Sequence, residues 1–590
     1  MDNKPEQPPA AEVGRFDDTR KGIVLAVAAS LFLLVVASIA GYMYLHKQGA
    51  NAGGANVVGR RPLSGTLDIN TIAVQLGPEE RVVGPTGDID TPYFIEREAD
   101  GTLQGYSGNT RSVAYNINKD GSLGEPRVIL DKGPRKSDFD GCGAWIVGAT
   151  YKTGKNKRVG WYHAENACNY SNGGQTHMSL AYMESSDGGK NWVKTGYPNN
   201  QIITADDRLN QLAAANASTP DAHKIDDIGN GRIIKRDGYY YAFFSASTYY
   251  GSVSQVLDAG QRLHVARSSV AKGGKPGTWF KWYCQNPSQP ETCAWSEKGL
   301  GGKSTAIKGA DGSSRFVTWS TYLNRYITIR ANGKAGFTLR ASQGDDLLNW
   351  TAKKETVFPE VTYKDDPLVN DWGYGEPNRN GKRQLYAYSS IGPVTPRDVD
   401  GDGSVSDDIG QVFYLYYVKL YSGQEFDQRN LMRRRVKLVA DGGLSRVQLT
   451  AYRTDDGRLR MSTEVPKRSL GYHQREKASS IGYLATSQVA GFVPLYECQQ
   501  PGAGDFYLLR DDTPADAPYR SGSADDWGRC NSTDVLVRRL GWISPTATDV
   551  ANRPLYQCYN KELKDRFVSA RKDCNGSTQQ GLIGYTLSSL

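Results

Sequence analysis

The chain is poor in hydrophobic residues, 38% of its 590 positions, and it lacks several signatures that would point to particular chemistries. No Cys-x-x-Cys spacing occurs, which argues against a zinc–thiolate site. There is no long basic run and no interleaving of basic and aromatic residues of the kind nucleic-acid binders show. The net charge of +8, from 71 basic and 63 acidic side chains, is therefore read as ordinary surface charge rather than a polyanion site, and no nucleic-acid partner is expected. Amphipathic helical stretches long enough for a series of βαβ crossovers are also missing, which excludes a doubly wound α/β fold. What is present is 65 Gly, 35 Tyr and 11 Trp, a turn-rich and aromatic composition suited to β-structure and long enough for two or three domains.

One uncharged run stands out. Ile23 to Leu45 spans 23 residues, and at about 1.5 Å per helical residue such a run crosses a hydrocarbon core of roughly 30 Å. Arg15, Arg20 and Lys21 precede it and Lys47 alone closely follows, so positive-inside bias predicts a single-pass anchor. Residues 1–22 form the cytoplasmic tail, 23–45 the transmembrane helix and 46–66 a flexible tether. The bulk of the chain is then periplasmic or extracellular at the cell membrane. The alternative is a cleaved signal peptide at Ala50-Asn51-Ala52, but the apolar run is longer than a signal core. All eight cysteines follow the run in sequential pairs, Cys142 with Cys168, Cys284 with Cys293, Cys498 with Cys530 and Cys558 with Cys574. In an exported chain an even count favours disulfides, although eight cysteines formally allow 105 pairings.

From 67 to 466 short aromatic strands alternate with Gly, Asn and Asp turns, as in Gly160-Trp161-Tyr162-His163-Ala164 and Tyr239-Tyr240-Tyr241-Ala242-Phe243-Phe244. An all-β architecture follows. Ser185-Ser186-Asp187-Gly188-Gly189-Lys190-Asn191-Trp192 reads Ser-x-Asp-x-Gly-x-x-Trp and resembles the Asp-box turn of sialidase-like β-propellers. Asp345-Asp346-Leu347-Leu348-Asn349-Trp350 and the strand pair opening at Trp319 resemble blade motifs of five-bladed glycoside hydrolases of families 43 and 32. The resemblance implies a five-bladed β-propeller and a glycan-processing activity, with carbohydrate as partner. The sialidase arginine motif is matched only weakly, by Arg61-Pro62, which moves the expectation away from sialidase; Arg111, Arg267 and Arg325 are the arginines that could converge instead.

Propellers bind ligands at one end of the central channel, and glycoside hydrolysis needs two carboxyl groups. The candidates are Asp90, in a context similar to the one where family 43 enzymes carry their general base, Asp140, which could hold or tune a catalytic partner, Asp227 and Glu376 at inner-strand starts, and Glu165 at a strand end. Each has an alternative as a turn residue or a solvated strand end. Trp161, His163, Arg111 and Trp372 are the candidate substrate contacts, with blade packing as the alternative for the aromatics. Asp398, Asp400 and Asp402 with Gly403 reproduce the first half of a calcium loop in which Ser404 would offer its carbonyl. Ile409 stands where the usual Glu would be, so Asp407 or Asp408 would complete the shell; a structural Ca2+ is the expected cofactor, and a metal-free acidic loop is the alternative. Residues 476–590 read as a tandem repeat: Pro494-Leu495-Tyr496-Glu497-Cys498 returns as Pro554-Leu555-Tyr556-Gln557-Cys558, and Ile481-Gly482-Tyr483 ends a degenerate earlier copy. Glycan or wall binding is expected of this module, with a structural cap as its alternative. The leading expectation for the whole chain is a glycoside hydrolase, and the competing one a non-catalytic glycan-binding or adhesin-like surface protein.

Overall fold

The computed structural model describes residues 69–590 except 98–101, 119–120, 149, 167–176, 205–224, 227–231, 249–261, 311–315, 332–336, 355–384, 395–407, 422–423, 425–426, 441–442, 467–469, 475–480, 501–503, 511–529 and 531–533. The tail, the expected transmembrane helix and the tether lie outside the described residues. Among those described, no helix is long and apolar enough to cross a membrane.

The fold is all-β and propeller-like, with helical geometry confined to short 3-10 turns among the described residues. The strands gather into four hydrogen-bonded sheets rather than the five separate ones that a five-bladed count would give. One short connection merges two of the meanders, and another ties the last meander to the C-terminal strands. The first sheet is a meander of Phe94–Arg97, Leu103–Asn109, Arg111–Ile117 and Leu123–Leu130. The next begins as Gly143–Ile146, Arg158–Asn166, His177–Ser185 and Gln201–Ile203. The two-residue strand Ile225–Asp226 pairs parallel with His177–Ser185 and antiparallel with Tyr239–Thr248. It thereby fuses that meander to Arg232–Arg236, Tyr239–Thr248, Arg262–Ser269, Phe280–Cys284 and Cys293–Lys298 in one 11-stranded sheet. A third sheet holds Thr318–Ser320, Arg325–Ala331, Phe337–Gln343 and Asp346–Lys354.

The last meander, Leu385–Pro393, Val412–Leu420 and Arg429–Val439, takes its outer strand from the start of the described chain: Ala73–Thr86 lies antiparallel on Arg429–Val439. Ala73–Thr86 also makes a short parallel pairing with Arg446–Arg453, which joins this meander to the C-terminal strands in one 14-stranded sheet. Those strands form three units of one construction. In each, a first strand (Arg446–Arg453, Val493–Gln500 or Ala551–Asn560) pairs with a second (Leu459–Ser462, Asp505–Arg510 or Asp565–Ser569) and a third (Gly482–Ala485, Val535–Ile543 or Thr578–Leu587). The third strand of the first unit pairs with those of the other two.

Arg158–Asn166 is buried along almost its whole length, because sheets packed on both faces leave neither side wet. Inward side chains such as Ile146, Tyr162, Ile327, Leu415 and Val436 merge into one large apolar cluster. The Ser185–Trp192 turn is held by its own side chains. Ser185 Oγ donates to Asp187 Oδ1 at 2.7 Å and accepts from Gly189 N at 2.9 Å, Asn191 N donates to Asp187 Oδ1 at 3.0 Å, and Trp192 joins the core. Gly188 and Gly189 take φ of 87° and 107°, which only glycine adopts without strain.

Candidate active site

Asp90 precedes the first strand of the first meander, where its backbone N–H donates to Gly108 O at 2.7 Å. Its carboxylate Oδ1 accepts from Arg429 Nη1 at 2.7 Å, and the second arm of that guanidinium donates to Gly87 O, also at 2.7 Å. Arg429 opens the strand Arg429–Val439, so the chain's first and last meanders meet at this carboxylate. A hydroxyl from Leu385–Pro393 reaches it as well: Tyr388 hydrogen-bonds Asp90. Tyr388 has φ of 50° where the register shifts between Ala387 and Ser390. A tyrosine in this region costs about 1–3 kcal/mol, and such strain clusters at functional sites.

Two further groups come from Arg158–Asn166. His163 and Glu165 are two residues apart and so lie on one face, with His163 Nε2 2.8 Å from Glu165 Oε1. The Trp145 ring packs against His163 at 5.3 Å between centroids, from the position paired with it across the strands. Gly143, paired with Glu165, makes this possible, because a side chain there would collide with the Trp145 ring.

Burial lifts the Asp90 carboxyl to about 6, the largest influence on it; Arg429 and the Tyr388 hydrogen bond pull it down, Glu165 pushes it up and His163 lowers it. The direction follows from the cost of a charge in a desolvated site, which outweighs even an adjacent guanidinium. The Asp90 side chain keeps 18% of its surface exposed and Glu165 11%, so both remain reachable from solvent. A carboxyl that titrates near neutrality beside a second carboxyl and an imidazole can accept and donate protons at physiological pH.

The other described candidates have different partners. Asp140 is fully buried and accepts from Lys194 Nζ at 2.5 Å, Tyr197 OH at 3.2 Å and Tyr162 OH at 3.3 Å. Trp161 is a core side chain: its Nε1 donates to Gly274 O at 3.1 Å and its ring meets Trp279 edge-on. Arg111 is exposed at a hairpin start, Arg325 is buried and donates to Leu323 O and Ser342 O, and Arg267 stacks on aromatic rings. Asp227, Glu376 and Trp372 lie outside the described residues, as do Asp398, Asp400, Asp402 and Ser404. Asp408 is described, and its Oδ1 lies 3.7 Å from Arg236 Nη1. Among the described residues no group of three or more His, Cys, Asp or Glu side chains converges as a metal site. The pairs Cys284–Cys293, Cys498–Cys530 and Cys558–Cys574 are disulfides, and Cys142 is disulfide-bonded too, while Cys168 lies outside the described residues.

Arg429 and Tyr388 escaped the sequence reading. Neither sits in a recognisable motif, and each reaches Asp90 only because the last meander closes against the first.

No protein-family model matches the chain, and no curated protein matches it. Its fold is similar to solved structures at low identity. One is the α-L-arabinanase of Penicillium chrysogenum complexed with arabinobiose, 13% identical, covering 60% of this chain and 78% of that one with a TM-score of 0.27. An exo-1,5-α-L-arabinanase from a bovine ruminal metagenomic library is 10% identical, covering 65% and 99% with a TM-score of 0.31. A thermostable family-43 glycoside hydrolase is 12% identical, covering 65% and 97% with a TM-score of 0.29. At these values the likeness assigns no activity.

Proposed function

We propose that this chain is an extracytoplasmic glycoside hydrolase that works at the Asp90–His163–Glu165 cluster. One observation carries the reading: Asp90, lifted to about 6, lies within electrostatic reach of both Glu165 and His163, at a place where strands of three meanders meet. In the proposed reaction Asp90 takes a proton from the attacking water. The His163–Glu165 pair delivers one to the leaving oxygen as the glycosidic C–O bond breaks. Trp145 offers a ring for the sugar face, and Arg429 and Tyr388 hold the Asp90 carboxylate in place. Sequence motifs and the closure of the last meander by Ala73–Thr86 support five blades, with Ile225–Asp226 bridging two of them. Sequence motifs also support an Asp-box at Ser185–Trp192, a membrane anchor at 23–45 and a repeat module at 476–590, to which strand pairing adds a unit beginning at Arg446. A structural Ca2+ bound by Asp398, Asp400, Asp402 and Ser404, completed by Asp407 or Asp408, is part of the proposal.

The Arg429–Asp90 ion pair favours the second reading, a glycan-binding protein without chemistry, since a catalytic base held by arginine is a weaker one. A polysaccharide panel scored for both cleavage and retention separates the two. Cleavage that falls by about 10²–10⁴ in both Asp90→Asn and Glu165→Gln, with the fold intact, supports hydrolysis. Retention of glycans without cleavage, or cleavage unchanged in both variants, refutes it.

A further inference from the structure

The strands that follow Arg232 carry a second polar feature, made from different residues. Tyr241 pairs with Arg267, Arg267 with Phe280 and Phe280 with Lys298. Directly opposed residues of antiparallel strands share a face, so these four side chains form one row across the sheet. Trp282 and Trp295, a cross-strand pair with centroids 5.3 Å apart, lie on the same face. Within it the Arg267 guanidinium is sandwiched between the rings of Tyr239 at 4.3 Å and Trp295 at 4.5 Å.

Three properties single out this face. Arg267 is half-buried and hydrogen-bonds the Tyr241 hydroxyl, and no carboxylate among the described residues pairs with it. Arg236, by contrast, has Asp237 and Asp408 at 3.7 Å each. Phe280 is 38% exposed in the middle of the row, with Lys298 exposed at its end. Residues 232–310 contain eleven Lys and Arg against four Asp and Glu, so the surroundings share the sign of Arg267. Apart from Lys235-Arg236 these cations are scattered through the sequence as single residues, and only the strand pairing sets Arg267 and Lys298 among the rings.

A guanidinium is planar, and its paired N–H groups match a carboxylate or sulfate oxygen pair. Half-buried aromatic rings supply flat apolar surface for a sugar ring. We propose that this face binds an anionic glycan, a polymer bearing uronate or sulfate groups, independently of the Asp90 centre. Nucleic acid would meet the same chemistry. The hairpin that carries Trp282 and Trp295 is clipped by the Cys284–Cys293 disulfide, which belongs to an oxidising compartment and favours the glycan.

Full-length protein in detergent micelles, titrated with polygalacturonate, dextran sulfate, neutral arabinan and single-stranded poly(dT), tests this. Expected is retention of polygalacturonate or dextran sulfate, the better ligand naming the anion, with neutral arabinan at least tenfold weaker and binding weakened by salt. Arg267→Gln should weaken binding about tenfold or more, and Phe280→Ser, at an exposed site that leaves the core intact, about threefold. Asp90→Asn should bind as the wild type does, so failure here and failure of the hydrolytic reading are separable. Loss of both anionic ligands, binding unchanged in Arg267→Gln, binding lost in Asp90→Asn, or poly(dT) bound more tightly than either glycan overturns the proposal.

Discussion

Replacing Lys419 with methionine should destabilise the fold by about 3–5 kcal/mol, the range for removing one partner of a buried ion pair. Lys419 Nζ is fully buried and donates to Glu79 Oε2 at 2.9 Å and to Glu464 Oε2 at 2.7 Å. Glu79 also accepts from Tyr417 OH and from Val465 N at 2.7 Å, and Arg434 lies 3.9 Å away. Glu464 is gripped in turn by Arg538, which reaches Glu497 at 3.4 Å, and Glu497 accepts from Arg460 at 2.6 Å. The chain of charges runs from Ala73–Thr86 through Val412–Leu420 to Arg460 and Glu464 of the first C-terminal unit and Glu497 and Arg538 of the second, so these elements share one electrostatic core. Methionine fills the Lys419 stem volume but leaves two buried carboxylates short of a cation. Scanning calorimetry at a fixed rate should show a Tm lower by on the order of 5 °C, since a chain this long shifts less per kcal/mol than a small domain. The pH dependence has a definite sign. Arg538 and Lys419 hold the Glu464 carboxyl well below its ordinary value, against the opposing effect of burial. Its stabilisation is therefore present above the unfolded value of about 4.3 and lost as pH falls through the depressed folded one. In Lys419→Met that acid loss should be smaller and should be complete at a higher pH, because the folded value lies closer to the unfolded one. A variant within about 1 kcal/mol of wild type, or a Glu79→Gln/Lys419→Met double variant whose losses simply add, would refute the coupling.

Three further outcomes follow from named contacts. Arg429→Met removes the charge that pulls Asp90 down, so the limb of the pH–activity profile that depends on ionised Asp90 should move above about 6, while Tyr388→Phe moves it the same way by less; unchanged profiles would break the link to Asp90. Burial and the neighbouring Asp505 lift Asp565 to about 7, opposed by its bond from Leu459 N at 2.8 Å. The folded state then binds the extra proton between about pH 4 and 7, so denaturant stability should fall as pH rises through that window and Asp565→Asn should flatten the slope. Reducing Cys498–Cys530 and Cys558–Cys574, which close separations of 32 and 16 residues, should cost about 3–4 kcal/mol each by the loop-entropy relation, read as a lower Tm in reductant; no change would show that the strand pairing alone suffices.

Much of the local structure was legible because it is short-range. The Ser185–Trp192 turn bonds to itself, aromatic alternation marks Tyr239–Thr248 as a strand, and three of the cysteine pairs form in order as near neighbours because each closes a local loop. The site was legible only in part. Asp90, His163 and Glu165 were named, and the last two meet by strand periodicity alone, two residues apart on one face. Asp140, expected to hold or tune a catalytic partner, lies buried among Lys194, Tyr197 and Tyr162, neighbours that an acid before glycine does not reveal.

By itself the sequence determined which segments could be strands and turns, because those preferences are set by residues within a few positions of one another. Tertiary structure alone decided that Ala73–Thr86 would lie on Arg429–Val439, bringing Arg429 and Tyr388 to Asp90 across some three hundred residues. It likewise placed Arg267 between Tyr239 and Trp295. The reason is physical: desolvation and charge act through space, and the neighbours that set them are fixed by which sheets close on which, information that no local pattern carries.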